Sequence, residues 1–322
     1  MKTIQASMIL KNEEEMLPKA LDSMKGIDSV MICDTGSIDS SFDIYKQYQD
    51  KGYNLEWFKY SRFNPDDHIK DFSHARNECK EKCTGDWLFI LDGDEWFDWD
   101  MKKLKDIINS GWAGKYDVLT MKVRTVIETD DKPITQVTDQ PRVFKNRDEL
   151  WYYSEYHNSL SWLPTGLGGN IELLKSNQFY QTTLMINAEF SPNHKVYPNR
   201  TKTIIEKVLK ERPGDARAMY YLAQEYLNKK DPLPALFWLN RYLDIARITV
   251  ETAEAHWLIA TIYIDLNIIG KAVHHCFECV KIMPSYSHAW EVIHKMAHPD
   301  LKKYWKAVLD VADNKGLLIV RK

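Results

Sequence analysis

The run Leu88-Phe-Ile-Leu-Asp92-Gly93-Asp94-Glu95, led in by Thr84-Gly-Asp-Trp87, decides the reading of the first half of the chain. Trp87 to Leu91 is an unbroken apolar stretch, the pattern of a strand buried on both faces. It ends in two carboxylates separated by a glycine. Carboxylates that leave a sheet together can meet a hard divalent cation, which takes oxygen ligands and keeps positions open for phosphate oxygens. The glycine lets the backbone pass close to a ligand. An acidic turn capping the next helix would carry the same letters, so the surrounding pattern has to separate the two readings.

Upstream, strand-like and helix-like stretches alternate. Thr3–Leu10, Ser29–Cys33 and Leu55–Tyr60 read as strands, and Glu13–Met24, Ser40–Lys51 and Phe72–Lys82 as helices. This rhythm predicts a doubly wound, Rossmann-like α/β domain with a parallel sheet and helices on both faces. Ligands of such sheets bind beyond the carboxyl ends of the strands, so the loops after each strand are candidate sites. Lys11-Asn12-Glu13-Glu14 follows the first strand and Asp34-Thr35-Gly36-Ser37-Ile38-Asp39 the second. Their carboxylate and amide groups suit a base edge and ribose hydroxyls, although Ser37 and Asp39 are equally placed to cap the next helix. Arg76, in Phe72-Ser-His-Ala-Arg-Asn77, is either a cation for a diphosphate or an ordinary surface charge.

Between Lys115 and Glu189 the pattern loosens. Val118–Ile127 and Gln140–Lys145 read as strands, Trp151–Leu163 carries alternating aromatics, and Gly166-Leu-Gly-Gly169 is too loosely patterned for a phosphate cradle. After Pro198 the chain is helical and repetitive. At a 34-residue period Ala260, Tyr263 and Ala272 take the positions that Ala223, Tyr226 and Ala235 take upstream; Trp257, Pro284 and Leu222 fall at further repeat positions, and Trp290 and Ile293 begin a third unit. The pattern resembles the tetratricopeptide repeat, in which small residues let paired helices approach. The first two windows lie 37 residues apart, which implies a short insertion near Ile248. Two domains follow, residues 1–197 and 198–322.

Composition narrows the function classes. The 322 residues are 44% hydrophobic and 28% charged with a formal net charge of −3, which excludes a disordered chain and a nucleic-acid coat protein. A basic run, Lys195, Arg200, Lys202, Lys207, Lys210 and Arg212, is either a track for DNA or a solvated helix face. No apolar run has the length of a membrane span, Met1-Lys2-Thr3-Ile4 opens a strand, and five cysteines in short pairs suit reduced thiols, so a cytoplasmic location is expected. Cys276-x-x-Cys279 beside His274 and His275 looks like half a zinc motif, but no second Cys/His pair sits at finger-like spacing, and two small side chains packed inside a helix is the favoured reading.

Met8-Ile-Leu-Lys-Asn-Glu-Glu14, Cys33-Asp-Thr-Gly-Ser-Ile-Asp39, Phe72-Ser-His-Ala-Arg-Asn77, Thr84-Gly-Asp-Trp87 and Leu91-Asp-Gly-Asp-Glu95 together resemble family 2 glycosyltransferases of the GT-A fold. More narrowly the chain is similar to the bacterial and phage branch with tetratricopeptide repeats after the catalytic domain. The resemblance implies a nucleotide-sugar donor, a UDP-sugar first of all, and a Mn²⁺ or Mg²⁺ ion held by Asp94 and Asp92. It implies that Asp34 reads the nucleobase and that Asn12, Glu14, Thr35, Gly36, Arg76, Asp92 and Gly93 form the donor pocket. His157 falls where a further metal ligand or phosphate contact is expected, or is a packed histidine. Most relatives invert the anomeric centre and need a general base. The usual glutamate is Asn158 here, so the expected base is Glu155 or Asp139, unless the acceptor ionises readily. A peptide, a glycan or a modified DNA base is the expected acceptor, and a homodimer is conceivable. A nucleotidyltransferase and a repeat scaffold with a vestigial enzyme domain remain alternatives. Trp96, Trp99, Trp151, Tyr152, Tyr153, Tyr156 and Trp162 are expected to wall the acceptor side, because sugar C–H faces stack on aromatic rings.

Overall fold

The computed structural model describes residues 1–64, 66–127, 133–156, 159–162, 178–189, 199–247 and 250–296. The chain divides into two compact units, Met1–Arg200 and Thr201–Lys322.

The first unit opens with β1 (Ile4–Leu10), α1 (Leu17–Ser23), β2 (Ser29–Asp34), α2 (Ser41–Asp50), β3 (Leu55–Lys59), α3 (Phe72–Lys82) and β4 (Trp87–Ile90). It continues through β5 (Glu95–Trp96), α4 (Met101–Asn109), β6 (Val118–Ile127), β7 (Ile134–Lys145), β8 (Leu150–Tyr153), β9 (Ser159–Trp162) and β10 (Phe179–Ala188). Eight strands form one sheet in the order β3-β2-β1-β4-β7-β6-β10-β5, and β8 pairs with β9 separately. β3, β2, β1 and β4 run parallel, as the βαβ rhythm predicts. Beyond that stretch the pairing is mixed: β7 is antiparallel to β4 and β6, β10 is parallel to β6, and β5 closes the edge antiparallel to β10. The sheet is mixed because β6 and β7 form a hairpin rather than a βαβ crossover.

β1 is buried at every residue, which only a central strand covered on both faces allows. One face packs Ile4, Ala6, Met8 and Leu10 with α1, α2 and α4; the other packs Ile9 and Met31 with Ala75 and Cys79 of α3 and with Cys83 just after it. Asp71 caps α3, its carboxylate accepting the His74 N–H at 2.9 Å. The chain leaves β2 toward α2 on one side and β1 lies between β2 and β4, so the strand order reverses beside β1. That switch point is where an open α/β sheet leaves a crevice.

The second unit begins with the body of α5 (Arg200–Glu211), followed by α6 (Ala216–Asn228), α7 (Pro232–Ile245), α8 (Val250–Asp265), α9 (Ile269–Ile282) and α10 (Ser287–Met296). Ala223, Ala235, Ala260 and Ala272, the small repeat positions, are all fully buried. They let α6 pack on α7 and α8 on α9, as in tetratricopeptide hairpins. α8 starts at Val250, three residues ahead of the repeat register at Ala253, and so takes up the extra length between the first two windows. Cys276 and Cys279 are buried among Ala253, Ala260 and Ile293 as packing residues.

His256 of α8 and His275 of α9 meet ring to ring, Nδ1 to Nδ1, at 3.0 Å. Burial lowers both, His275 to about 4, and His256, His274 and Lys271 reinforce the shift at His275 against Glu278. As pH falls, the unfolded chain protonates these rings near their ordinary ~6.5 while the folded pair resists. Their contribution is therefore intact above that value and is lost progressively down to about 4. Thermal melts of the full chain at pH 7.5 and 5 should show a smaller pH-dependent drop for His275→Gln than for the wild type. Equal drops would refute the assignment.

Candidate active site

A cavity of about 280 Å³ lies at the switch point. Its wall combines the ends of β1 (Ile9, Leu10, then Lys11 and Glu13), β2 (Thr35) and β4 (Asp92 to Glu95) with Thr125 of β6 and Ala188 and Glu189 at the end of β10. His68, Ile69, Phe72 and Arg200 complete it.

The Asp92-Gly93-Asp94 turn is held from below. Arg76 Nη2 donates to Asp92 Oδ2 at 2.7 Å. Burial works against the Arg76 charge, and the Asp92 carboxylate more than restores it, so the guanidinium is held above its ordinary value. Arg142 of β7 grips Glu95 with two bonds, Nη1 to Oε2 at 2.7 Å and Nη2 to Oε1 at 2.6 Å. Glu95 Oε2 in turn accepts the Asp92 N–H at 3.0 Å. Burial pushes the Glu95 carboxyl up and the Arg142 guanidinium pulls it back down; the short bidentate contact is that of an ionised pair. Gly93 is required by close approach, since a Cβ there would lie 2.9 Å from Glu13 Cγ and 3.1 Å from Leu10 Cβ.

The loops after β1 and β2 are laced together. Asn12 Oδ1 accepts the Ile38 N–H at 2.8 Å and Glu14 Oε2 the Ser40 N–H at 2.9 Å. Ser37 Oγ and Asp39 Oδ2 accept the N–H groups of Asn12 and Glu14, each at 2.9 Å. Asp34 Oδ1 accepts from both Gly36 and Ser37 N–H, at 3.1 and 2.8 Å. Gly36 has φ +144°, and a Cβ there would stand 2.3 Å from the Asn64 carbonyl oxygen. Lys11 Nζ spans to the carbonyls of Asn64 (3.0 Å) and Asp67 (2.6 Å) and pins the loop that brings His68 to the cavity. Burial lowers His68, and Lys70 adds to the effect. The Asp67 carboxylate, 2.8 Å from His68 Nδ1, works against both.

The sequence-derived candidates divide accordingly. Thr35, Asp92, Gly93 and Asp94 line the cavity; Asn12, Glu14, Asp34, Gly36 and Arg76 do not, and instead hold the lining residues in place. Neither expected base lines it either. Asp139 is exposed on β7 and pairs with Lys122 at 3.2 Å, because strand alternation turns it away from the face that carries Arg142. Glu155 contributes its carbonyl to the Phe72 N–H at 3.0 Å, at the start of α3. His157 lies outside the described residues. The aromatic wall is corrected: Trp99 is buried and stacks on Phe97 at 3.9 Å, and Tyr152 and Tyr156 are buried. Phe72 lines the cavity instead, alongside the His68 ring.

Residues 7–163 match the family model for glycosyl transferase family 2. This stretch is a family 2 glycosyltransferase domain. A TPR repeat-containing protein of Synechococcus elongatus is 28% identical over 159 residues, 49% of this chain and 35% of that protein. The SPbeta prophage-derived glycosyltransferase SunS of Bacillus subtilis is 31% identical over 94 residues, 29% of this chain and 20% of SunS. The chain thus spans about a third or less of the length of these relatives. Among solved structures, S. aureus TarS 1-349 in complex with UDP-GlcNAc aligns over 98% of this chain and 92% of that one at 14% identity, with a TM-score of 0.45.

Within the family 2 domain, Lys11, Glu13 and His68 join the site without a sequence signal that would choose them over their neighbours. Arg200 carried a signal, one charge in a basic run, and the signal misled. Its guanidinium packs 4.9 Å from the Phe72 ring and is opposed by Asp94, Asp92 and Glu13, while burial lowers it. Among the described residues no helix is long and apolar enough to cross a membrane.

Proposed function

We propose that this chain is a metal-dependent glycosyltransferase that moves a sugar from a nucleoside-diphosphate sugar to an acceptor nucleophile with inversion. The observation that carries the reading is the meeting of Asp94, Asp92, Glu13 and Arg200 in one cavity at the switch point of the sheet. Among the described residues no three His, Cys, Asp or Glu side chains form a complete metal cage. Mg²⁺ and Mn²⁺ fit such a site, because they bind through one or two carboxylates and fill the remaining positions with substrate phosphate oxygens and water. Asp94 and Asp92 would hold the ion, which when bound offsets the negative charge that grows on the departing diphosphate.

The protein's own groups do the rest. Arg76 fixes the Asp92 carboxylate, Arg142 and Glu95 fix its backbone, and Arg200 places a second positive charge at the diphosphate. Thr35 and the loop pinned by Lys11 bound the nucleoside end. A thermal-shift panel of UDP-glucose, UDP-galactose, UDP-N-acetylglucosamine and GDP-mannose, with and without Mn²⁺, tests the reading. At a hundred times Kd a ligand stabilises by about 2.7 kcal/mol, which in a unit of this size raises Tm by roughly 5–10 °C. Stabilisation by no donor in the presence of metal would sink it.

A further inference from the structure

An inverting transfer needs a base, and neither carboxylate that the sequence nominates lines the cavity. Five carboxylates do: Glu13, Asp92, Asp94, Glu95 and Glu189. Glu95 is consumed by Arg142, Asp92 is gripped by Arg76, and Glu13 is buried. Asp94 is the ligand the metal reading requires. Glu189 differs from all of them. It follows the last residue of β10, and its N–H donates to the Asp94 carbonyl at 3.2 Å, which fixes its backbone against the metal turn. Its Oε1 accepts from two donors, Lys19 Nζ at 3.0 Å and Trp96 Nε1 at 3.3 Å. The Lys19 ammonium also sits 4.0 Å over the Trp96 ring, so the two donors brace each other. Oε2 takes no hydrogen bond from a described residue, and the side chain is 45% exposed.

A carboxylate with one oxygen clamped and the other open to a reaction cavity has the arrangement of an oriented base. Resting on the transferase reading, we infer that Glu189 is the general base of the reaction and that Lys19 and Trp96 are its positioning residues. Glu189 Oε2 takes the proton of the acceptor O–H as the acceptor oxygen forms its bond to the anomeric carbon. The bond from that carbon to the diphosphate oxygen breaks, and its electron pair leaves with the nucleoside diphosphate. The proton on Glu189 then passes to solvent through the exposed side of the carboxyl. Water serves as the acceptor in the same way when no other is present, giving free sugar and nucleoside diphosphate.

Hydrolysis of the same four sugar nucleotides by the full chain with Mn²⁺ gives the test, followed by release of nucleoside diphosphate. Glu189→Gln should lower kcat by about 100-fold or more, the range of general-base catalysis, with KM for the donor within about threefold of wild type. Glu189→Asp should recover part of the rate. Lys19→Met should lower kcat several-fold at unchanged KM. UDP with Mn²⁺ should raise the Tm of Glu189→Gln as it raises that of wild type, which separates lost chemistry from lost folding. A Glu189→Gln rate within threefold of wild type would overturn the assignment while leaving the transferase reading standing. A wild-type chain that neither binds nor hydrolyses any of the four donors would remove the reading and the inference with it.

Discussion

On the proposed reading, Asp94→Asn is expected to fold normally and to show sugar-nucleotide hydrolysis in the presence of Mn²⁺ that is about 1,000-fold or more below wild type. A metal ion bridging enzyme and diphosphate contributes several kcal/mol to the transition state, and each 1.36 kcal/mol is tenfold in rate. Asparagine keeps the shape of the side chain and one oxygen but removes the charge that a hard cation requires. The fold should be indifferent. Asp94 joins the neighbouring strand through its backbone carbonyl, which accepts the Glu189 N–H, and asparagine preserves that contact. A substitution of this kind moves stability by about 0.5 kcal/mol, or roughly 1–2 °C in Tm. Rates measured across a Mn²⁺ titration and melts of both proteins decide the matter. Metal-dependent hydrolysis within tenfold of wild type would mean that Asp94 does not hold the ion.

The parts of the fold that the sequence made legible are those set by local rules. α3 runs from Phe72 to Lys82 as its periodicity predicts, because Asp71 caps one end and the other stops before Thr84-Gly85. α1 starts later than expected, at Leu17 instead of Glu13. The Met16 and Leu17 N–H groups both return to the Glu13 carbonyl in a tight turn, with Pro18 opening the helix proper. The antiparallel half of the sheet was not legible, since β4 pairs with β7 and β5 with β10 across long stretches of chain, and no local pattern encodes such pairings.

The site divides along the same line. The place of the Asp-Gly-Asp turn was readable, because three adjacent residues follow a buried strand and so border the cavity at its end. Arg76 illustrates what is not: the letters around it do not show that its guanidinium meets the Asp92 carboxylate, since that contact is set by tertiary packing. The alternating aromatics around β8 were readable as strand residues but not as to which face they cover. Tyr152 turns inward against Phe144 and is buried, while its backbone N–H and carbonyl are both held by Asn77. Glu189 and Arg200 reach the cavity by tertiary packing, from a strand end and a helix start that local pattern treats as ordinary surface.

Arg142→Ala is the substitution expected to damage the fold most. Arg142 and Glu95 side chains are 8% and 7% exposed, and their two bonds consume both Glu95 oxygens. Removing the guanidinium leaves a buried carboxylate without its counter-charge, at a cost of about 3–5 kcal/mol, or roughly 6–20 °C in Tm for a unit of this size. The remaining carboxyl would take up a proton, because burial already pushes it up and the opposing charge is gone. A protonated Glu95 is a poorer acceptor for the Asp92 N–H, so the damage extends from stability to the Asp92-Gly93-Asp94 turn. Glu95→Gln separates the two effects, since its amide oxygen still accepts that N–H while the ion pair is lost. Urea unfolding should rank wild type above Glu95→Gln and Glu95→Gln above Arg142→Ala. Mn²⁺ affinity should fall further in Arg142→Ala than in Glu95→Gln. Equal affinity in the two variants would show that the pair stabilises the sheet without positioning the turn.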